Sequence, residues 1–66
     1  MKWGEIIKNR RNILGISQQE LADNSGISLR TIKAIESNDS NPLVGTLEKI
    51  GDVLGFELEL NIRNTK

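Results

Sequence analysis

Apolar side chains recur along this chain at two spacings: every third or fourth residue up to Gly55, and every second residue beyond it. The first spacing predicts helices and the second a half-buried strand. Trp3, Ile6, Ile7, Ile13 and Leu14 fall on one broad stripe of a helical wheel. That stripe predicts a helix over about 3–14, ended by Gly15, with Ile16 closing the junction. Arg10 lies on the apolar side of the wheel, so its stem should pack while its head reaches solvent. Ser17 and Glu20 form a capping-box pattern for a second helix over roughly 18–24, with Leu21 and Ala22 on its inner side. Gly26 marks a sharp turn, since a residue without Cβ takes φ > 0 at little cost. Ser28 then caps a third helix over 29–37, in which Ile32 and Ile35 repeat at helical spacing. Residues 38–42 read as a loop that Pro42 keeps from continuing the helix. A fourth helix follows over about 43–54, with Val44, Leu47, Ile50 and Leu54 inward. Gly45 and Gly51 each weaken it by about 1 kcal/mol relative to alanine.

The second and third helices, joined by a tight turn, make a helix-turn-helix, a unit whose second helix commonly enters the DNA major groove. Residues 56–63 alternate apolar and polar without a break and supply the chain's single strand. One strand leaves its backbone groups unpaired, so it needs a partner. Antiparallel pairing with a second copy satisfies a two-fold axis and places Phe56, Leu58, Leu60 and Ile62 of both copies on one face. Glu57, Glu59 and Arg63 then lie on the other face, where Arg63 can approach a glutamate of the opposite chain. The alternative is an ordered tail lying over its own domain. Residues 64–66 should fray. The expected fold is mainly α, with a four-helix DNA-binding domain at 1–55 and a dimerisation strand and tail at 56–66.

Composition narrows the functions available. Sixty-six residues allow one small domain, which buries only about 60% of its unfolded surface. Cysteine and histidine are both absent, which removes disulfides, thiolate zinc sites and the usual general base. Neither an enzyme nor a metal or cofactor protein is expected. No apolar run approaches the ~20 residues that span a bilayer, and the N-terminus lacks a signal pattern, so a cytoplasmic location is expected. Net charge is zero, with six basic and five acidic residues through position 40 and three and four after it. Phosphate contact supplies most non-specific DNA affinity, so a single copy should bind weakly and two copies together should bind well.

On the third helix, Arg30, Lys33, Ala34 and Ser37 lie opposite Ile32 and Ile35. Arg30 sits near the N-terminal end, where a guanidinium fork matches guanine O6 and N7. Lys33 can reach a base or the backbone. Lys8, Arg10, Gln19 and the loop 38–41 are weaker backbone candidates.

Gln18-Gln19-Glu20-Leu21-Ala22, Gly26-Ile27-Ser28, Thr31-Ile32 and Ile35-Glu36 together resemble the Xre/Cro repressor family of bacterial and phage DNA-binding proteins. Arg11, Leu14-Gly15-Ile16 and the pattern from Asn41-Pro42 to Leu54-Gly55 extend the match, which runs from about Ile7 to Gly55. The resemblance implies a lambda-repressor-like fold. It implies that Gln18 meets a phosphate at a helix N-terminus and that Ser28 and Leu29 touch bases or phosphates, Leu29 on a thymine methyl. It also implies a largely buried ion pair between Arg11 and Glu36. The candidate DNA-contacting set is Gln18, Gln19, Ser28, Leu29, Arg30, Thr31, Lys33 and Ser37. Relatives usually carry Ser or Thr where this chain has Leu43, which leaves Asn41 as a substitute cap for the fourth helix. The Leu54-Gly55 and Leu58-Glu59-Leu60 tail resembles HipB-like antitoxins, which dimerise through such a strand. The expected function is a homodimeric repressor that reads an inverted repeat on double-stranded DNA. The rivals are an antitoxin bound to a toxin protein, and an interaction scaffold without DNA affinity.

Overall fold

The computed structural model describes residues 2–59 and residue 62. Four helices follow one another, α1 (Trp3–Leu14), α2 (Gln18–Ser25), α3 (Leu29–Glu36) and α4 (Val44–Leu54). α3 packs on α1 and α2, and α4 packs on α2 and α1, so α3 lies against the first two helices with one side turned outward.

The helix ends follow local chemistry. Gly15 adopts φ 71°, which lets its N–H reach Asn12 O at 3.1 Å while Ile16 N–H reaches Arg11 O at 3.1 Å. Both arms of the α2 capping box form: Ser17 Oγ accepts from Glu20 N–H at 3.0 Å, and Ser17 N–H donates to Glu20 Oε1 at 2.9 Å. Gly26 at φ 76° closes α2 through Ala22 O, and Ser28 Oγ opens α3 by accepting from Thr31 N–H at 3.2 Å. At the start of α4, Leu43 has the extended backbone of a cap but no side-chain oxygen, and Asn41 does not substitute for it.

Ile7, Leu21, Ala22, Ile32, Ile35, Leu47, Ile50 and Leu54 form the core. Two parts of the expected apolar pattern differ. Ile6, Ile13 and Leu14 are 40%, 64% and 44% exposed, so the inward stripe of α1 is narrower than its composition suggests. Gly4 is buried on that helix, where an added Cβ would run into the carbonyls of Ile35 and Glu36, so the core-facing side is turned toward Gly4 and Ile7. Val44 is 65% exposed rather than inward, because it lies roughly 90° around the wheel from the Leu47–Ile50–Leu54 stripe at 100° per residue.

Past Gly55 the chain turns back over α4. Phe56 N–H donates to Gly51 O at 3.0 Å, and its ring lies over the buried Gly51, where a Cβ would sit 3.0 Å from the ring edge. Phe56 and Leu58 are half-buried against the core, so the start of the tail does lie over its own domain. No strand is present among the described residues, and the backbone from 56 to 59 is irregular. A strand is defined by pairing, and a single copy offers residues 56–59 no partner edge. Leu60, Asn61 and Arg63, which the alternation assigned to the strand, lie outside the described residues, as does the tail 64–66. Ile62 is 88% exposed. Among the described residues, no helix is long and apolar enough to cross a membrane, and no group of His, Cys, Asp or Glu side chains could hold a metal ion.

Candidate nucleic-acid interface

The outer side of α3 is held in place by its inner side. Ile32 is fully buried and Ile35 nearly so, which fixes the rotation of the helix against α1 and α2. Arg30, Lys33 and Ser37 therefore face solvent, with Leu29, Thr31 and Ala34 half-buried beside them. Neither Arg30 nor Lys33 makes a side-chain hydrogen bond or ion pair among the described residues, so both cations are available at the surface.

The hydroxyls near them are engaged. Ser28 Oγ accepts from Thr31 N–H and lies 2.9 Å from Thr31 Oγ1, which ties it to the cap. Ser37 Oγ lies 2.8 Å from the Asp39 carboxylate and 3.2 Å from Ala34 O, and the shorter, charge-assisted bond claims its proton. Asp39 thus places negative charge at the C-terminal end of α3, while Arg30 and Lys33 make the rest of its outer side positive. Asn38 bridges the two regions at φ 62°, a left-handed conformation that asparagine tolerates.

Beneath this surface lies a polar network that links three helices. Arg11 Nε and NH2 donate to the two carboxylate oxygens of Glu36, each at 2.9 Å, and NH1 donates to Ile16 O at 2.9 Å. The Arg11 and Glu36 side chains keep only 11% and 4% of their exposure. The bidentate geometry is the strong form of a charge-assisted pair. The hydrogen bonds to Glu36 raise the Arg11 pKa above its ordinary value, aided by the carboxylate charge and opposed by burial. Gln18 joins the pair by donating its side-chain amide to Glu36 Oε1 at 3.1 Å. Its amide is therefore turned inward. The backbone N–H groups of Gln18 and Gln19 remain unpaired in the first turn of α2, where the helix dipole favours an anion. Gln19 spends its amide on Asp23 at 2.8 Å along the exposed side of α2.

Arg10 turns its head back onto the fold rather than into open solvent. Its Nε donates to Leu54 O at 2.7 Å, which satisfies a carbonyl at the end of α4 and latches α1 to it. A basic residue on an apolar stripe, in a chain with a helix ending at Leu54-Gly55, was the available signal. The loop residues Asn38, Ser40 and Asn41 line a shallow cleft with Lys2 and Trp3 rather than extending α3.

With this geometry in place, the comparisons with known proteins define the class. Residues 7–61 match the helix-turn-helix family model, and the chain belongs to that family. It is 36% identical over 59 residues to a protein of Vibrio cholerae serotype O1 named as the cryptic phage CTXphi transcriptional repressor RstR. The aligned region covers 89% of this chain and 53% of that repressor, so the chain spans about half the length of the curated relative it matches. No solved structure gives a significant match.

Proposed function

We propose that the protein is a sequence-specific DNA-binding transcriptional regulator, a repressor, in which α3 enters the major groove. The observation that carries this reading is the pair of unpartnered cations, Arg30 and Lys33, on the outer side of a helix whose other side is sealed by Ile32 and Ile35. Arg30 reads guanine, Lys33 reaches a base or the backbone, and Leu29 packs on a thymine methyl. Thr31 lies beside them. The Gln18 and Gln19 backbone N–H groups take a phosphate, and the inward Gln18 amide braces that helix end. Ser28 and Ser37 act mainly within the fold, given their hydroxyl partners.

Two copies act together. Pairing through residues 56–63 sets two α3 helices in successive major grooves about 34 Å apart, so the operator is an inverted repeat. A net charge of zero makes that duplication necessary, because one copy neutralises few phosphates. We favour repression over binding a toxin protein for two reasons. The matched relative bears a repressor's name, and the outer side of α3 carries no large apolar anchor of the kind protein interfaces use.

The test is titration of the DNA flanking the gene that encodes this chain, at several salt concentrations, against the Arg30→Ala variant. Specific binding that falls with salt and is lost in the variant is the expected result. Unchanged specific affinity in Arg30→Ala refutes the groove assignment.

A further inference from the structure

We propose that Asp39 limits how tightly the protein holds DNA: its carboxylate, fixed at the C-terminal end of α3, stands against the phosphate strand and weakens binding to every sequence. The inference rests on the reading of α3 as the groove helix and deepens it by assigning a residue that opposes the contact.

The end of α3 holds this side chain still. Asn38 takes the left-handed conformation at φ 62°, so its N–H reaches Ile35 O at 3.0 Å and the following Asp39 N–H reaches Ala34 O at 2.9 Å. These are the two bonds of a Schellman motif, with asparagine where glycine is usual. They pin the Asp39 backbone to the last turn, and the Ser37 hydroxyl, 2.8 Å from Oδ2, pins its carboxylate. Ser37 shares the solvent-facing side of α3 with Arg30 and Lys33, so the carboxylate lies at the far end of the cationic surface.

Among the described residues, no cation offsets that charge. Arg11 is engaged by Glu36, and Lys2, which shares a cleft with Asn38 and Ser40, pairs with Glu5 at 3.5 Å. The negative end of the helix dipole adds the same sign. With Arg30 at the base edges, a rise of about 1.5 Å per residue sets Ser37 ~10 Å further on, close to the ~12 Å width of the major groove. That distance carries Asp39 to the phosphate ridge. Two negative charges ~6 Å apart in water repel enough to lower affinity about threefold. The screening length of ~10 Å at 0.1 M salt leaves much of that repulsion in force. A chain with zero net charge makes few phosphate contacts, so one opposing group matters.

Asp39→Asn keeps an acceptor for the Ser37 hydroxyl and removes only the charge, whereas Asp39→Lys reverses it. Anisotropy titrations at graded salt compare DNA flanking the encoding gene with an unrelated duplex. Asp39→Asn should tighten binding to both about threefold and Asp39→Lys about tenfold, the latter also steepening the salt slope by about one. Circular dichroism melts check that each variant keeps its helices. Unchanged or weaker binding in both folded variants overturns the inference, while the groove reading stands if Arg30→Ala still loses specific affinity. A change confined to one duplex also overturns it, because that result puts the carboxylate on a base edge. If neither the unaltered chain nor Asp39→Lys binds either duplex at low salt, the groove reading fails and this inference with it.

Discussion

Glu36→Ala tests whether the network under α3 holds the molecule together. The substitution removes the acceptor of two Arg11 N–H groups at 2.9 Å and of the Gln18 amide at 3.1 Å. Arg11 keeps its bond to Ile16 O but loses its counter-charge at a site where only 11% of its side-chain surface remains exposed. Its raised pKa means it stays charged at every ordinary pH, so it cannot relieve the cost by losing its proton. Stranding one member of a buried pair costs about 3–5 kcal/mol. A 66-residue domain has a total stability of about 3–10 kcal/mol, so the loss consumes a third of it or more.

Urea unfolding followed by circular dichroism measures this, with the fluorescence of Trp3, the lone tryptophan, as a second probe. Arg11→Met should cost a similar amount by stranding Glu36, whose side chain is more enclosed still. The double variant Arg11→Met/Glu36→Leu should recover most of the loss, because a packed apolar pair replaces a buried ion pair at little net cost. Strong non-additivity is the expected result. A loss below about 1 kcal/mol in Glu36→Ala, or single effects that sum to the double, would show a solvent-screened pair and refute the reasoning.

Arg30→Ala should lower specific DNA affinity by about 10–100-fold with little change in melting temperature, since Arg30 has no partner within the described fold. Lys33→Ala should weaken binding to all sequences if it contacts a phosphate, reducing the salt slope by about one, as gel-shift titrations at graded salt would reveal. The two glycines of α4 should respond with opposite signs. Gly45→Ala points into open space and should stabilise by about 1 kcal/mol. Gly51→Ala would set a Cβ 2.6 Å from Phe56 O, displacing the tail at a cost of about 1–3 kcal/mol in thermal melts. Leu43→Ser supplies an oxygen to a cap already in extended geometry and should stabilise by about 1 kcal/mol in the same assay.

How much of this molecule was legible beforehand depends on how far apart in the chain the interacting groups lie. The caps of α2 and α3 and the stops at Gly15, Gly26 and Gly55 join residues within five positions, and local pattern was enough to place them. The Arg11–Glu36 pair spans 25 positions, and only family resemblance suggested it. The Arg10–Leu54 latch spans 44, and a helical wheel has no means of displaying it. The exposure of Ile13 and Val44 has the same origin, because apolar spacing shows that a helix has an inner side without showing which flank its neighbours leave uncovered. The candidate DNA surface changed for a further reason. Spacing placed Ser37 on the outer side, the family resemblance suggested Ser28, and Gln19 was a weaker backbone candidate, while Asp23, Thr31 and Asp39 engage their side chains within the fold. A side chain that already has a good acceptor must give it up to contact DNA, and so contributes little net energy to binding. The cations Arg30 and Lys33 have no such exchange to make among the described residues. On the proposed reading the discriminating chemistry lies at Arg30 and Lys33, and substitutions there should alter operator choice more than any at Ser37.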